Sequence, residues 1–145
     1  MDFHPSEEQE AISEMAVAFA AEELAPFAVE WDQTKHFPVE TLRKAASLGL
    51  GAIYTREDVG GTGLGRAEAV MIFEALASGC PSVAAYISNH NMCVWMIDRY
   101  GHDEQRHKYI PRLAAMEHLA SYCLTEPGAG SDAGALRTRA VRDGD

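Results

Sequence analysis

The stretch YCLTEPGAGSD, residues 122–132, decides how the rest of the chain is interpreted. The side chains of residues 119–125 alternate as in a β-strand, which favours a strand leading into this stretch. Gly128 and Gly130 then predict a turn that ends in Ser131 and Asp132. Such a turn can point successive N–H groups into one concavity that receives phosphate or another oxyanion. The same residues are equally consistent with a plain turn between strands.

The residues on either side of this turn add to the binding hypothesis. Tyr122, Leu124 and Thr125 would offer a flat surface and a hydroxyl donor to a planar ring, and glycine at 128 and 130 permits positive φ and close approach of a ligand. Beyond the turn, alternation over residues 136–142 predicts a second strand, and Asp143-Gly144 is typical of a turn.

The chain before residue 118 is predicted to be helical. Ser6 and Gln9 fit a capping box, Pro26 ends or kinks the first helix, and Gly49 ends a second helix that begins near Pro38. Further helices are predicted over 66–78, 81–99 and 103–109, with Asp103 as the cap of the last one. The glycine-rich segment 60–65 is interpreted as a flexible connection, because no GKS or GKT follows it.

Composition excludes several functions. The chain has 145 residues and a formal net charge of −10, which argues against a nucleic-acid surface of the usual basic kind. Residues 75–97 carry no charge but are too polar for a membrane span. The three cysteines form no CxxC pair and are predicted to be reduced, buried thiols in a reducing compartment. The histidines are poorly spaced for a metal site, and none is predicted.

Residues 122–132 resemble the first signature of the acyl-CoA dehydrogenases, and the match extends to the small residue Ala135. The resemblance covers the chain from about Ser6 to Asp145. Other segments that share it are Trp31, Phe37-Pro38, residues 44–50, the loop 60–64 and residues 103–106. Residues 73–77 and 90–98 are most similar to the branch of the family that oxidises isobutyryl-CoA in valine breakdown.

The resemblance implies a mainly α fold. Residues 1–117 would form the N-terminal all-helical domain, and residues 118–145 would begin the middle β domain. A C-terminal four-helix bundle would lie outside these residues, and the full subunit would assemble into a homotetramer. The implied activity is FAD-dependent α,β-dehydrogenation of a short branched-chain acyl-CoA, with an electron-transferring flavoprotein as the acceptor. A bacterial protein would work in the cytoplasm and a eukaryotic one in the mitochondrial matrix.

The resemblance also assigns residues. FAD would lie along Tyr122, Leu124, Thr125, Gly128, Gly130 and Ser131, and Ser131 would also touch the CoA portion of the substrate. Ala85, Ser88 and Met92 share one face of helix 81–99 and would line the acyl pocket, whose depth Tyr86 and Trp95 would limit. Ordinary core packing of this helix is the alternative for each of them. No catalytic residue is expected in the chain, since the family's base lies beyond residue 145 and Glu126 is interpreted as structural. Two alternatives stay open: an oxygen-using flavoenzyme of this fold, and a non-catalytic helical interaction module.

Overall fold

The structure is a computed structural model that describes residues 4–144, and helices dominate it. Six α-helices occur in this range, with two short 3₁₀ turns at Glu57–Val59 and Ala133–Ala135. The α-helices are α1 (Glu7–Phe19), α2 (Ala28–Thr34), α3 (Val39–Ser47), α4 (Arg66–Gly79), α5 (Pro81–Tyr100) and α6 (Asp103–Ala114).

Local signals explain where several helices begin or end. The Ser6 hydroxyl accepts the Gln9 N–H at 3.2 Å and the Gln9 side chain accepts the Ser6 N–H at 3.0 Å, so the predicted capping box is confirmed. Pro81 occupies the first turn of α5, where its missing N–H costs nothing. Gly49 follows α3 with φ of +84°, a conformation that favours glycine.

The first helix does not stop where α1 ends. It continues as a π-helical turn, Ala20–Leu24, in which the Ala25 N–H donates to the Ala20 carbonyl at 2.9 Å. Pro26 then lies in the turn before α2. Helix α2 has no counterpart in the sequence prediction.

The prediction for the last helix was wrong at both ends. His102, not Asp103, is the cap, since its Nδ1 accepts the Gln105 N–H at 3.4 Å. Pro111 lies inside α6, which continues to Ala114. The proline removes one hydrogen bond, but Ile110 and Leu113 on either side are buried in the core and hold the last turn in place.

Helix α4 lies at the centre of the bundle, between α1 and α5, and α5 packs in turn on α6. Two clusters of buried apolar side chains fill these interfaces. The smaller one joins Val94 of α5 to Ile110 and Leu113 of α6. The larger cluster includes Ala16, Phe19, Leu24, Leu42, Leu50, Ile53, Ile72, Leu76, Val83, Ile87 and Met116.

The glycine-rich loop is fixed, contrary to the prediction of a flexible connection. The N–H groups of residues 60–64 all donate to carbonyls of residues 52–57, at 2.9–3.1 Å. Gly61 packs so closely on the Thr55 carbonyl that no Cβ would fit. Because these N–H groups are occupied, the loop cannot present them to a phosphate.

A buried amide side chain holds residues 50–53, just before the glycine-rich loop, against α5. Asn91 is fully buried, and its Oδ1 accepts the Ile53 N–H at 2.7 Å. Its Nδ2 donates to the carbonyls of Leu50 at 2.8 Å and Ile87 at 2.9 Å. One side chain therefore satisfies the Ile53 N–H and the Leu50 carbonyl, which burial would otherwise leave unpaired, and adds a bond to the Ile87 carbonyl of its own helix.

A charge network lies at the C-terminal end of α5. Arg106 is 3% exposed and pairs with Asp98 at 2.9 Å, Asp103 at 2.9 Å and Asp58 at 2.8 Å. The Arg56 guanidinium adds a second cation at 3.0 Å from Asp98. Hydrogen bonds from Arg106 hold the pKa of the Asp58 carboxyl below its usual value. This network ties α5, α6 and the 3₁₀ turn at Glu57–Val59 together.

The two strands predicted after residue 118 are not present in the described range 4–144. Its one β-pairing is an isolated antiparallel bridge between Glu126 and Ala129. Strands need a ladder partner, and these backbone groups bond elsewhere. The N–H groups of residues 120 and 122 bond to side chains of α5, and those of residues 137 and 138 bond to the Glu126 carboxylate.

Replacing the buried amide tests the role assigned to it. We expect Asn91→Ala to lower the free energy of unfolding by about 2–4 kcal/mol, because the buried Ile53 N–H and Leu50 carbonyl each lose a partner worth about 1–3 kcal/mol. Urea denaturation of the native protein measures the change. Arg99→Ala, an exposed position on the same helix, is the control and should stay within about 0.5 kcal/mol. A loss below about 1 kcal/mol for Asn91→Ala would contradict this role.

Candidate functional site

An open groove of about 490 Å³ lies between α4 and α5. Ala85, Ser88 and Met92, the three residues expected to line an acyl pocket, all line it. Their spacing of three and four residues places them along one face of α5, as the sequence suggested. The other lining residues are Tyr54, Arg66, Ala69, Val70, Phe73 and Asn89. Small and apolar side chains form most of this surface.

Of the two residues expected to limit the groove, Tyr86 does not line it. Its ring packs edge-on against Phe37, with centroids 4.9 Å apart, and its hydroxyl donates to the Ala120 carbonyl at 3.2 Å. Tyr86 lies instead at a separate cavity of about 250 Å³ beside α2. Trp95 meets the groove through Arg66, whose guanidinium carbon lies 4.9 Å from the centroid of its ring.

Side chains of α5 fasten the start of the signature segment. Asn89, which lines the groove, accepts the Tyr122 N–H on its Oδ1 at 3.0 Å. The adjacent His90 accepts the Ala120 N–H on Nδ1 at 3.0 Å, and its Nε2 lies 3.0 Å from the Leu113 carbonyl. These bonds fix the groove and the signature segment relative to each other.

The partners of His90 determine its protonation. Nδ1 must be unprotonated to accept from Ala120, so Nε2 carries the hydrogen and donates to the Leu113 carbonyl. Burial lowers the pKa of this imidazole, an effect that the bond to the Leu113 carbonyl opposes. His90 is fully buried and neutral. Sequence analysis missed it because both partners lie more than twenty residues away; the available signal was a histidine within an uncharged helical segment.

The signature forms a tight turn braced by its own carboxylate. The Glu126 and Ala129 backbones exchange hydrogen bonds at 2.9 and 3.2 Å. The Glu126 carboxylate accepts the N–H groups of Arg137 at 2.9 Å and Thr138 at 2.7 Å. Hydrogen bonds from the Thr138 side chain and from these N–H groups hold the pKa of Glu126 below its ordinary value. A carboxylate bound in this way is a poor proton acceptor, as its structural interpretation requires.

Within residues 4–144, no contact requires positions 128 and 130 of the signature to be glycine. Contrary to expectation, neither Gly128 nor Gly130 has a positive φ. A Cβ at either position would have no heavy atom within 4 Å. The side chains expected to meet a cofactor are accessible: Tyr122, Thr125 and Ser131 are exposed and Leu124 is half-buried. The space above this turn is open to a ligand.

The three thiols are free but do not share one environment. Cys80 is buried and Cys93 is half-buried, whereas Cys123 is exposed, so the prediction of buried thiols was wrong for Cys123. Within residues 4–144, no three or more His, Cys, Asp or Glu side chains come together in a way that could hold a metal ion. In the same range, no helix combines the length and apolar character needed to cross a bilayer.

Residues 6–117 match the model of the acyl-CoA dehydrogenase N-terminal domain, and the chain therefore belongs to the acyl-CoA dehydrogenase family. The family prediction from the sequence is confirmed. The chain is 59% identical over 140 residues to the mitochondrial isobutyryl-CoA dehydrogenase of Bos taurus, which covers 97% of the chain and 34% of that protein.

Solved structures agree with this assignment. A glutaryl-coenzyme A dehydrogenase in complex with glutaryl-CoA matches with a TM-score of 0.89 and 32% identity, covering 94% of this chain and 35% of that one. An FAD complex of PigA matches with a TM-score of 0.87 and 31% identity, covering 94% of this chain and 37% of that one. The chain spans about a third of the length of the relatives it matches.

The buried neutral His90 makes stability depend on pH. Its pKa is lowered in the folded state, so on acidification the unfolded chain takes up a proton that the folded chain does not. This contribution is intact above pH of about 6.5 and is lost below it, by up to about 1.4 kcal/mol per pH unit. Urea denaturation between pH 7 and 5 measures the slope, which should be smaller in His90→Asn. His118→Asn, an exposed histidine, is the control, and equal slopes in wild type and His90→Asn would refute the prediction.

Proposed function

We propose that this chain is part of an FAD-dependent enzyme that dehydrogenates the α,β bond of a short branched-chain acyl-CoA such as isobutyryl-CoA, in valine breakdown. The observation that carries the proposal is the junction at Asn89, which lines the groove and holds the backbone of Tyr122. An acyl chain in the groove would then lie next to the segment expected to carry the cofactor. The high identity to an isobutyryl-CoA dehydrogenase supports this substrate class.

The residues of the signature fit FAD. Glycine at 128 and 130 leaves open space where any side chain would project, and Tyr122, Leu124 and Thr125 offer surface and a hydroxyl to a planar ring. Exposed Ser131 could donate to the cofactor or to the CoA portion of the substrate. When bound, FAD would supply the two-electron acceptor for the hydride removed from the β carbon. The contribution of this chain is to bind, orient and shield the reactants.

The rest of the middle β domain and the catalytic base are expected to lie in other parts of the protein. We propose that residues 118–145 begin the middle β domain, whose further backbone would give the segments after residue 118 their ladder partners. Glu126 is committed to Arg137 and Thr138, so the base that takes the α proton would come from the C-terminal half. The functional protein would be a homotetramer that passes electrons to an electron-transferring flavoprotein. A eukaryotic form would work in the mitochondrial matrix, a proposal supported by the bovine relative, which is named as mitochondrial.

An anaerobic titration of the native protein with isobutyryl-CoA tests the proposed reaction. We expect the flavin absorption band to bleach at stoichiometric substrate, since no oxidant is present to restore it. After bleaching, the flavin band should recover slowly when oxygen is admitted and much faster when an electron-transferring flavoprotein is added. Rapid recovery with oxygen would favour an oxygen-using enzyme of the same fold. A yellow protein that does not bleach would overturn the substrate class, and a colourless protein would overturn the cofactor.

Two glycine variants separate cofactor binding from folding. Gly128→Ala should leave the melting temperature within about 1 °C, because the added methyl has no heavy atom of residues 4–144 within 4 Å apart from its chain neighbours. The same variant should weaken FAD binding at least tenfold. Gly51→Ala should lower the melting temperature, since its Cβ would collide with the Ala114 carbonyl, and should leave the affinity for FAD unchanged. Titrating FAD into the apoprotein and following thermal unfolding measure both quantities. An unchanged FAD affinity in Gly128→Ala would contradict the proposed cofactor position.

A further inference from the structure

At one end of the groove, the cationic side chain of Arg66 contacts two aromatic rings. The guanidinium carbon of Arg66 lies 3.7 Å from the centroid of the Tyr54 ring and 4.9 Å from that of Trp95. Tyr54 and Arg66 both line the groove. Burial raises the pKa of the Tyr54 hydroxyl, an effect that the nearby Arg66 partly opposes. We refer to Tyr54, Arg66 and Trp95 as the arginine stack.

The position of the stack follows from the course of the helices. Arg66 is the first residue of α4, and Trp95 lies near the end of α5, so their contact shows that the two helices run antiparallel. The stack therefore lies beyond Met92, at the end of the groove away from the α4–α5 connection. Along α5, Asn89 and Trp95 are separated by a rise of about 9 Å. The signature segment is fastened at the Asn89 end of this interval.

The chemistry of the stack suits a barrier better than a binding pocket for apolar atoms. Within residues 4–144 no carboxylate forms a salt bridge with Arg66. Arg66 contacts the rings of Tyr54 and Trp95, shares a side-chain hydrogen bond with Tyr54, and is exposed. A guanidinium has five N–H donors, so one that stacks on aromatic faces and donates to a single side chain still has N–H groups that bind water. Extending an apolar chain into this end would displace that water without replacing its hydrogen bonds, which is unfavourable.

We propose that Arg66, held by Tyr54 and Trp95, is a specificity-determining residue that limits the length of the acyl chain accepted by the groove. This inference rests on the function proposed above, because it assumes that the acyl chain lies in the groove. Acyl chains that end at Met92 contact an apolar surface, whereas longer acyl chains contact the hydrated guanidinium of Arg66. The stack selects against longer substrates through an unfavourable contact and does not have to improve binding of the short one.

Equilibrium binding tests the inference apart from turnover. The probes are S-alkyl thioethers of CoA carrying isobutyl, hexyl or octyl groups, which lack the thioester carbonyl that acidifies the α proton and so are not dehydrogenated. Calorimetry of the native FAD-loaded protein gives the ratio of the hexyl to the isobutyl dissociation constant. We expect Arg66→Ala to lower this ratio roughly tenfold, the order of magnitude that two newly buried methylenes supply.

Two further variants sharpen the design. Arg66→Met keeps a long stem but removes the charge and should lower the ratio in the same direction as Arg66→Ala. Arg112→Ala removes an exposed arginine outside the groove and should leave the ratio within twofold. Initial rates give kcat/KM for isobutyryl-CoA and for hexanoyl-CoA. The ratio of these two values should change in each variant as the binding ratio does.

The outcomes separate the two proposals. If the native protein binds none of the thioethers, the proposed substrate class fails, and the inference about Arg66 fails with it. If the native protein binds isobutyl-CoA but the hexyl-to-isobutyl ratio is unchanged in both Arg66 variants, the proposed function stands and the role of the stack is overturned. A uniform loss of affinity for all three thioethers in both variants would also overturn it, because Arg66 would then support binding in general.

Discussion

Helix α5 buries polar side chains that must find partners, and the rest of the structure is arranged around that requirement. Asn91 and His90 are fully buried, and Asp98 is 6% exposed. A buried polar group without a partner costs more than its hydrogen bond contributes, so each of these side chains dictates what lies next to it. Asn91 brings in the turn at residues 50–53, His90 brings in residue 120, and Asp98 brings in Arg106 of α6.

The candidate site follows from the same arrangement. The faces of α5 that carry His90, Asn91 and Asp98 are used to join neighbouring segments, which leaves the face with Ala85, Ser88 and Met92 beside α4. Small residues on that face make room for a ligand instead of filling the space. Asn89 lies at the boundary between the two functions, since it both lines the groove and holds the signature segment. Stability and ligand placement therefore depend on one helix.

The sequence predicted the parts of the fold that local chemistry determines. Ser6 with Gln9, Pro81 and Gly49 marked helix boundaries because caps, first-turn prolines and glycine stops act within a few residues. The groove residues of α5 could be found from helical spacing together with the family resemblance. Pro111 misled because tertiary packing of Ile110 and Leu113 outweighs the loss of one helical bond. The strands failed for a related reason, since alternation describes a side-chain pattern but does not supply a pairing partner.

Contacts between distant residues could not be predicted in this way. The bonds from α5 to residues 120 and 122 join positions about thirty residues apart. The arginine stack joins α4, α5 and the turn near Tyr54. Nothing in the spacing of one sequence marks such pairs. The glycines at 128 and 130 were recognised by their pattern, although the conformational reason first given for them was wrong. In this chain they are distinguished by empty space around them.

The π-helical turn at Ala20–Leu24 gives the first helix one residue more than a regular α-helix would need to cover the same path. Each residue of an α-helix advances the side-chain direction by about 100°. If the turn were regular, every side chain after it would point about a quarter of a revolution away from its present direction. Leu24, fully buried here, would leave the core, and α2 would start along a different heading. The inserted residue therefore corrects the phase at the end of the first helix, and it keeps Leu24 on the buried side with Ala16 and Phe19.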